Sequence, residues 1–239
     1  MMQIFIVTPF PEIPNIILET SILGKAKKKK MVEYNVIDLK NFAKGKHQQL
    51  DDYPFGGGSG MIMLAEPFFN AFEKIKKLYN GSKKLSVILP SPKGTILNQK
   101  ISKNLSEIDG LIFFCGHYKG IDQRVINELV NYEISIGDFV VTGGELPSLL
   151  IIDSIIRLIP GVINDQDSAD TDSFTHKLLD HPHYSRPQNF NGMKVPDVLI
   201  SGNHANIKSW RMNQREIITK KNRPDLWTNY KNKLSKWGV

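Results

Sequence analysis

Short apolar runs rich in β-branched and aromatic residues recur along the first two thirds of the chain. They begin near Gln3, Met31, Ser86, Gly110 and Asp138, and each gives way to a polar or turn-forming stretch within nine residues. Runs of this length and composition predict β-strands. Five strands are therefore expected before residue 145.

Segments with a helical spacing of apolar residues separate these runs. They begin at Asn15, Ala65, Thr95, Ile121 and Glu145, and Gly24 is expected to end the first helix. Strands that alternate with helices predict an α/β fold with a parallel or mostly parallel sheet, covered on both faces. Ligands of such sheets bind beyond the carboxyl ends of the strands.

Glycines follow three of the predicted strands, in the stretches LPSPKG, FCGHYKG and VVTGGE. Glycine allows backbone N–H and C=O groups to come close to a ligand. The chain contains neither the dinucleotide pattern GxGxxG nor the phosphate-binding pattern GxxxxGK[ST]. A single glycine can simply end a strand, but three such loops together favour one small-molecule pocket.

The composition changes after Gly161, and three segments are expected. Residues 1–162 form the α/β domain, and residues 163–175 are rich in aspartate and predict a flexible acidic linker. Residues 176–239 are basic, contain three tryptophans and have helical spacing, which predicts a smaller helical domain.

Charge and cysteine content narrow the class of protein. The formal net charge is +7, and nucleic acid is the commonest partner of a basic protein. Cys115 is the one cysteine, which excludes an intramolecular disulfide and suits a reducing cytoplasm. The start of the chain lacks the basic region of a signal peptide, and the most apolar later stretch contains Asp153 and Arg157. A cytoplasmic protein without a membrane span is therefore expected.

Eight motifs occur in an order that resembles a known enzyme family. They are DDYPFGGGSGM, SPKG, CGHYKGID, SIGDFVVTGGELP, RLIPGV, DSF, LLDHPHYSRP and VLISGNH. Each motif alone is weak, but the ordered set resembles the bacterial tRNA (guanine-N1)-methyltransferases of the SPOUT class over nearly the whole chain.

The resemblance implies a fold, a cofactor and partners. The fold would be an α/β SPOUT-type domain with a mostly parallel sheet and a deep C-terminal trefoil knot, followed by a small α-helical C-terminal domain. S-adenosylmethionine would bind within the knot, and a homodimer would share its active sites between subunits. The substrate would be tRNA, methylated at N1 of the guanosine immediately 3′ of the anticodon. Methyl transfer in this family is also associated with Mg²⁺.

The resemblance assigns three walls of the cofactor pocket. They contain Leu89, Pro90, Ser91 and Gly94; Cys115, Gly116, Tyr118 and Gly120; and Ile136, Gly137, Asp138, Phe139, Val140, Val141, Gly143 and Gly144. Side chains at the last two glycines are expected to fill space that the cofactor needs. The apolar members of the set could equally be ordinary core residues.

Methylation at N1 of guanine needs a base, because N1 carries a proton at neutral pH. By resemblance Asp172 in DTDSF is this base, and its linker could close over the substrate as a lid. Arg157 matches the family's second essential residue and would stabilise negative charge on guanine O6. Apart from the motif, the other linker aspartates are equivalent to Asp172, and Arg157 could simply pair with Asp153 along a helix.

Contacts to RNA are assigned to a segment that matches the family near the target base and to the basic tail. The residues are Asp51, Asp52, Gly58, Gly60, His204, Trp210 and Arg211. Phosphate contacts and base stacking would hold the RNA there, although Trp210 could be a core residue.

The chain departs from the family at CGHYKGID, where CGRYEGID is usual. His117 replaces an arginine and Lys119 replaces a glutamate, so the role of that glutamate is not carried over. SPKG likewise stands for the usual SPQG. Two other functions stay open, namely methylation of ribosomal RNA by another SPOUT enzyme and RNA binding without catalysis. A nucleotide-dependent oxidoreductase would lack its dinucleotide pattern.

Overall fold

The computed structural model describes residues 1–45, 48–81, 85–163, 172–174 and 177–236. The chain forms two compact units, Met1–Asn164 and Asp165–Val239. Within the described ranges, no helix is long and apolar enough to cross a membrane. The functions predicted for residues 1–162, 163–175 and 176–239 stay predictions.

A five-stranded parallel sheet forms the centre of the first unit. The strands of this unit are β1 (Met2–Thr8), β2 (Val32–Asp38), β3 (Asp51–Asp52), β4 (Ile62–Met63), β5 (Leu85–Ile96), β6 (Gly110–Phe114) and β7 (Tyr132–Ser135). The central sheet has the order β2-β1-β6-β5-β7, and β3 and β4 form a separate antiparallel pair. The predicted α/β fold with a mostly parallel sheet is confirmed.

Helices cover both faces of this sheet, as predicted. The helices of the first unit are α1 (Glu12–Leu18), α2 (Ser21–Lys28), α3 (Ala65–Leu78), α4 (Gln99–Ser106), α5 (Gln123–Leu129) and α6 (Glu145–Ile156). Leu18 of α1, Leu23 of α2, Leu105 of α4 and Ile152 of α6 belong to one hydrophobic core, and Phe68 of α3 and Val125 of α5 belong to the other.

The two cores follow from the alternation of side chains along the central strands. Ile4 and Phe113 pack into the first core, whereas Phe5 and Phe114 pack into the second. Every residue of β1 and β6 is buried. Burial of one such large apolar side chain contributes about 1.5–3 kcal/mol, so these two strands stabilise both layers.

The second unit contains a short hairpin and three helices in its described part. They are β8 (Asn189–Phe190), β9 (Met193–Lys194), α7 (Asp197–Ile200), α8 (His204–Asn222) and α9 (Pro224–Lys236). Thr219 of α8 is fully buried, and its hydroxyl accepts a hydrogen bond from Leu179 N. The hydroxyl of Tyr230 in α9 donates to Glu216 at 3.2 Å, and its ring lies 5.7 Å from that of Trp227.

The prediction of a strand over residues 138–144 is wrong. These residues have no regular secondary structure, and the edge strand is β7, inside the segment predicted as a helix from Ile121. The pattern DFVV favours a strand locally, but Val140 is 81% exposed and pairs with no strand. Pairing with β5 selects Tyr132–Ser135 instead, and local periodicity does not contain that information.

Two further boundaries differ from the prediction. The first helix is two helices, with a break at Glu19 and Thr20, and Gly24 lies inside α2 instead of ending a helix. SPKG does not end its strand, because β5 continues to Ile96 with a shift of register between Pro90 and Thr95. Most of the predicted linker, residues 164–171 together with 175, lies outside the described residues.

Replacement of Gly24 by alanine tests the close packing at the α1–α2 break. Helix propensity alone would favour alanine by about 1 kcal/mol. A Cβ at Gly24, however, would lie 2.3 Å from the carbonyl oxygen of Glu19, so the backbone must shift. We expect Gly24→Ala to lower the free energy of unfolding by about 1–2 kcal/mol in urea denaturation.

The matched control is Lys25→Ala, at an exposed position of the same helix. Its expected effect is within about 0.5 kcal/mol. Equal or greater stability of Gly24→Ala would contradict the packing at this position.

Candidate active site

A cavity of about 490 Å³ opens at the carboxyl ends of the parallel strands in the first unit. The segments that follow β5, β6 and β7 line it, together with the start of α6. Parallel α/β sheets bind their ligands at this position. The three glycine-containing stretches identified in the sequence therefore meet at one site.

Most residues predicted to bind the cofactor line this cavity. They are Leu89, Pro90, Ser91, Gly116, Tyr118, Gly120, Ile136, Gly137, Phe139, Val140, Val141, Gly143 and Gly144. Glycines and apolar residues make up most of this set.

Three residues predicted for the pocket do not line it. Cys115 is fully buried, with its Sγ 3.4 Å from Ser148 Oγ, and burial raises the pKa of its thiol far above the usual range. Cys115 is therefore a core residue and not a reactive thiolate. A Cβ at Gly94 would lie 2.3 Å from the carbonyl carbon of Glu133, so this glycine lets β5 pass close to β7. Asp138 is exposed.

Gly143 and Gly144 are required for a different reason from the one expected. A Cβ at Gly144 would lie 2.7 Å from Cys115 Cα and from Gly116 N, and a Cβ at Gly143 would lie 2.3 Å from His117 Cε1. Gly144 N also donates a hydrogen bond to Gly116 O at 2.9 Å. These glycines let the turn before α6 rest on the loop after β6, and they do not simply leave space for a ligand.

Sequence reasoning missed several charged and polar groups of the cavity. Lys93, His117, Lys119 and Glu133 also line it. Lys93, His117 and Lys119 were visible as departures from the family motifs, whereas Glu133 lies on the strand that was predicted as helix. A Cβ at Gly60 would lie 3.0 Å from Lys119 Cγ, so the glycine-rich loop approaches this side chain.

Glu145, the first residue of α6, is a buried carboxylate whose side chain is 3% exposed. It accepts a hydrogen bond from Thr8 Oγ1 at 2.5 Å, and His117 Nε2 lies 2.8 and 2.9 Å from its two oxygens. Burial alone would raise the pKa of Glu145, but these hydrogen bonds outweigh burial and lower it. The carboxylate is therefore ionised at neutral pH, which also suits the first turn of a helix.

Neither of the two predicted catalytic residues, Arg157 and Asp172, lines this cavity within one chain. Arg157 follows the last residue of α6, about 20 Å along the helix from Gly144 at its start. Asp172 belongs to the second unit, where it is half-buried. One chain therefore does not bring Arg157 to the cavity beside Gly144.

A second cavity of about 420 Å³ lies in the first unit. Asp51, predicted to contact RNA, lines it with Phe10, Lys40, His117 and Tyr118. Burial and the neighbouring Asp51 carboxylate raise the pKa of Tyr118. His117 and Tyr118 line both cavities of the first unit.

Three other residues of the first unit, Asp52, Gly58 and Gly60, were also predicted to contact RNA. Asp52 is exposed in β3, and Gly58 and Gly60 have φ values of +110° and +93°. Such backbone conformations favour glycine.

One of the three predicted RNA contacts of the second unit lines a separate cavity of about 420 Å³. Arg211 lines it with His183 and Arg186. Trp210 is half-buried, with its ring 6.3 Å from that of His181 and 6.4 Å from that of Tyr184. His204 is exposed at the start of α8, and the RNA contacts predicted for Trp210 and His204 stay predictions.

Asp180, His181 and His183 bring potential metal ligands within 4.8 Å of one another. Arg215 Nη2 donates to Asp180 Oδ1 at 2.7 Å, and His183 Nε2 lies 2.9 Å from Asp180 Oδ2. Burial would raise the pKa of Asp180, but these hydrogen bonds lower it. A guanidinium already neutralises the carboxylate, so the cluster ties the segment before β8 to α8 instead of forming a cation site.

The five-stranded parallel sheet and the cavity at its carboxyl edge define an α/β protein with a pocket of small-molecule size. Comparison with known proteins gives the family. The family model described as tRNA (Guanine-1)-methyltransferase TrmD matches residues 2–229. The chain belongs to this family.

Three similar proteins have the name tRNA (guanine-N(1)-)-methyltransferase. The protein of Ruminiclostridium cellulolyticum is 46% identical over 97% of this chain and 99% of its own length. The protein of Oceanobacillus iheyensis is 49% identical over 94% of this chain and 91% of its own length. That of Clostridioides difficile is 47% identical over 95% and 97%. The resemblance inferred from the motifs is confirmed.

Alanine at Gly144 tests the contact between the two glycine loops. A new Cβ there meets backbone at 2.7 Å, whereas a Cβ at Gly116 would first meet the side chain of Ile121 at 3.4 Å. We expect Gly144→Ala to lower the free energy of unfolding of the ligand-free protein by about 1–3 kcal/mol. Gly116→Ala should change it by less than about 1 kcal/mol. Thermal melts that rank the two variants equally would refute this account of the turn.

Proposed function

We propose that this enzyme transfers the methyl group of S-adenosylmethionine to N1 of the guanosine immediately 3′ of the anticodon in tRNA. The observation that carries the proposal is the convergence of three glycine-containing loops on one cavity in a chain of this family. The cofactor, the position of the guanosine and the residue roles below are parts of this proposal.

The cavity suits the two ends of S-adenosylmethionine. Its volume of about 490 Å³ falls within the range of small-molecule sites. Ile136, Phe139 and Val141 offer apolar surface for the adenine ring, and adjacent backbone groups can hydrogen-bond its edges. Lys93 and Lys119 supply positive charge for the carboxylate of the methionine part. The bound cofactor supplies the electrophilic methyl group.

A homodimer with shared active sites is supported by the surface of α6 and the loop before it. Phe139, Val140, Leu146 and Leu150 are between 49% and 81% exposed. Leu146 and Leu150 lie one helical turn apart, so they form part of one apolar face. A second copy could cover this face and bring the Arg157 end of one chain towards the cavity of the other.

We further propose the trefoil knot and a cytoplasmic location. The support for the knot is the family to which the chain belongs, since the motifs of the chain resemble its knotted members. The cytoplasm is where a tRNA substrate and S-adenosylmethionine occur together, and it suits a chain with one buried cysteine.

For catalysis, we propose Asp172 as the base that takes the N1 proton as the methyl group arrives. Arg157 would donate to guanine O6, where negative charge develops as N1 loses its proton. General base catalysis of this kind is worth about 10²–10⁴-fold in rate.

Binding of tRNA is supported by the distribution of charge. Residues 177–239 contain 12 lysines and arginines against 4 aspartates and glutamates, a formal charge of +8, whereas residues 1–176 contain 19 against 20. The C-terminal segment therefore accounts for the whole positive net charge of +7, because the rest of the chain is slightly acidic. Polyanion binding at such a surface weakens as salt rises, because counterions are released.

A resident magnesium ion does not fit the cavity as described. Among the described residues that line it, Glu133 is the one carboxylate, and Lys93 and Lys119 line the same cavity. Mg²⁺ prefers several oxygen ligands with negative charge. We therefore assign no step to magnesium.

The first test is methyl transfer from labelled S-adenosylmethionine to tRNA transcripts. Transcripts with guanosine or adenosine 3′ of the anticodon are compared, and the labelled nucleoside is identified. We expect label at N1 of that guanosine alone. Label in ribosomal RNA instead would support the other SPOUT activity, and cofactor binding without transfer to either RNA would support a binding protein.

Replacement of Asp172 by asparagine tests the base. Asparagine keeps the shape but cannot accept the proton, so single-turnover methylation should fall by about 10²–10⁴-fold. Calorimetry should show unchanged affinity for S-adenosylhomocysteine.

Asp170→Asn is the matched control in the same acidic segment, at a position outside the described residues. Its rate should stay within about twofold of the parent. A near-normal rate for Asp172→Asn would remove Asp172 as the base.

A further inference from the structure

Four residues form a closed ring of contacts beneath the cofactor cavity. Thr8 Oγ1 donates to Glu145 Oε1 at 2.5 Å, and Phe10 N donates to Thr8 Oγ1 at 2.9 Å. The Phe10 ring meets the His117 ring edge-on at 5.0 Å, and His117 Nε2 closes the ring on Glu145. We name these four residues the Glu145 ring. It joins the end of β1, the loop after β6 and the start of α6.

The proton in this ring can be placed from chemistry alone. An ionised carboxylate only accepts hydrogen bonds, so His117 Nε2, at 2.8 and 2.9 Å from its oxygens, carries the hydrogen and donates it. Within the described parts of the chain, Thr8 is the other side-chain donor to Glu145. Loss of His117 would leave a buried carboxylate with one side-chain donor, which is costly in a low-dielectric site.

His117 also supports the turn that lines the cofactor cavity. A Cβ at Gly143 would lie 2.3 Å from His117 Cε1 and 2.6 Å from Glu145 Oε2. The Gly143–Gly144 turn therefore rests directly on the bonded pair. The position of the imidazole sets the position of this turn.

The same imidazole borders the second cavity, beside Phe10 and Asp51. The side chain of His117 is 15% exposed, and it lines both cavities of the first unit. One hydrogen bond thus supports the wall between the proposed cofactor site and the cavity that contains the predicted RNA contact Asp51.

We propose that His117 is a positioning residue for methyl transfer, which holds the Gly143–Gly144 turn and the wall between the two cavities through its hydrogen bond to Glu145. The proposal rests on the proposed function, because it assigns the two cavities to cofactor and RNA. His117 touches neither reacting atom in this role. It fixes the shape of both sites at once.

The variants His117→Ala, Glu145→Gln and their combination test this role in the full-length protein. Affinity for S-adenosylhomocysteine is measured by calorimetry without RNA, and KM for tRNA is measured at saturating cofactor. We expect His117→Ala to weaken cofactor binding by about 10- to 100-fold and to raise the KM for tRNA as well.

The double variant gives the readout that a general loss of packing would not. Once His117 is gone, Glu145→Gln removes the uncompensated buried charge, so the double variant should bind cofactor more tightly than His117→Ala alone. His117→Arg should stay within about fivefold of the parent, since a guanidinium can donate two hydrogen bonds to the same carboxylate. Glu19→Gln, at an exposed glutamate paired with Lys27, is the control and should change neither value.

Several outcomes would overturn the proposal. One is an affinity of His117→Ala for S-adenosylhomocysteine within about twofold of that of the parent. Another is a loss of affinity in the double variant that equals the product of the losses in the two single variants. The third is an effect of His117→Ala on the KM for tRNA without any effect on cofactor affinity. If His117→Ala does not fold, loss of cofactor binding in His117→Arg would overturn the proposal equally. A parent protein that does not bind S-adenosylhomocysteine would instead refute the proposed function.

Discussion

Parallel pairing of β6 on both of its edges is the constraint on which the first unit depends. β6 lies between β1 and β5, and all of its residues are buried between the two helix layers. The loop with Gly116 and His117 follows the carboxyl end of β6 at this edge of the sheet. The hydrogen bond from Gly144 N to Gly116 O then places the turn before α6 on this loop. The cavity is thus a consequence of strand order.

Buried charge gives this edge of the sheet its second layer of organisation. Glu145 begins α6, while Thr8 ends β1, 137 residues earlier in the chain. An ionised carboxylate in such a place costs desolvation energy, and donors from two other segments offset that cost. Specific donors make the arrangement directional in a way that apolar packing is not. The proposed site would accept both a flat cofactor and a guanine base, and such a site needs directional support more than it needs extra stability.

Local patterns correctly predicted the strands whose residues are buried between the two helix layers. They failed where only pairing with a neighbouring strand makes a segment a β-strand. The runs at Gln3 and Gly110 are apolar throughout, so their assignment as β1 and β6 needed no tertiary information. Tyr132–Ser135 mixes polar and apolar residues, and only its register with β5 makes it a strand. The motifs located the cavity walls, because glycine is needed where two backbone segments approach each other closely. They could not reveal the bond between His117 and Glu145, which are 28 residues apart.

The aromatic content of the second unit gives the protein a built-in optical asymmetry. All three tryptophans occur at position 210 or later, within Asp165–Val239. Trp210 lies near the rings of His181 and Tyr184, and Trp227 lies near Tyr230. Indole emission from the unlabelled chain therefore originates from this unit alone, whereas far-ultraviolet circular dichroism follows the helices of both. The two signals together separate events in the C-terminal unit from events in the parallel sheet without any added probe.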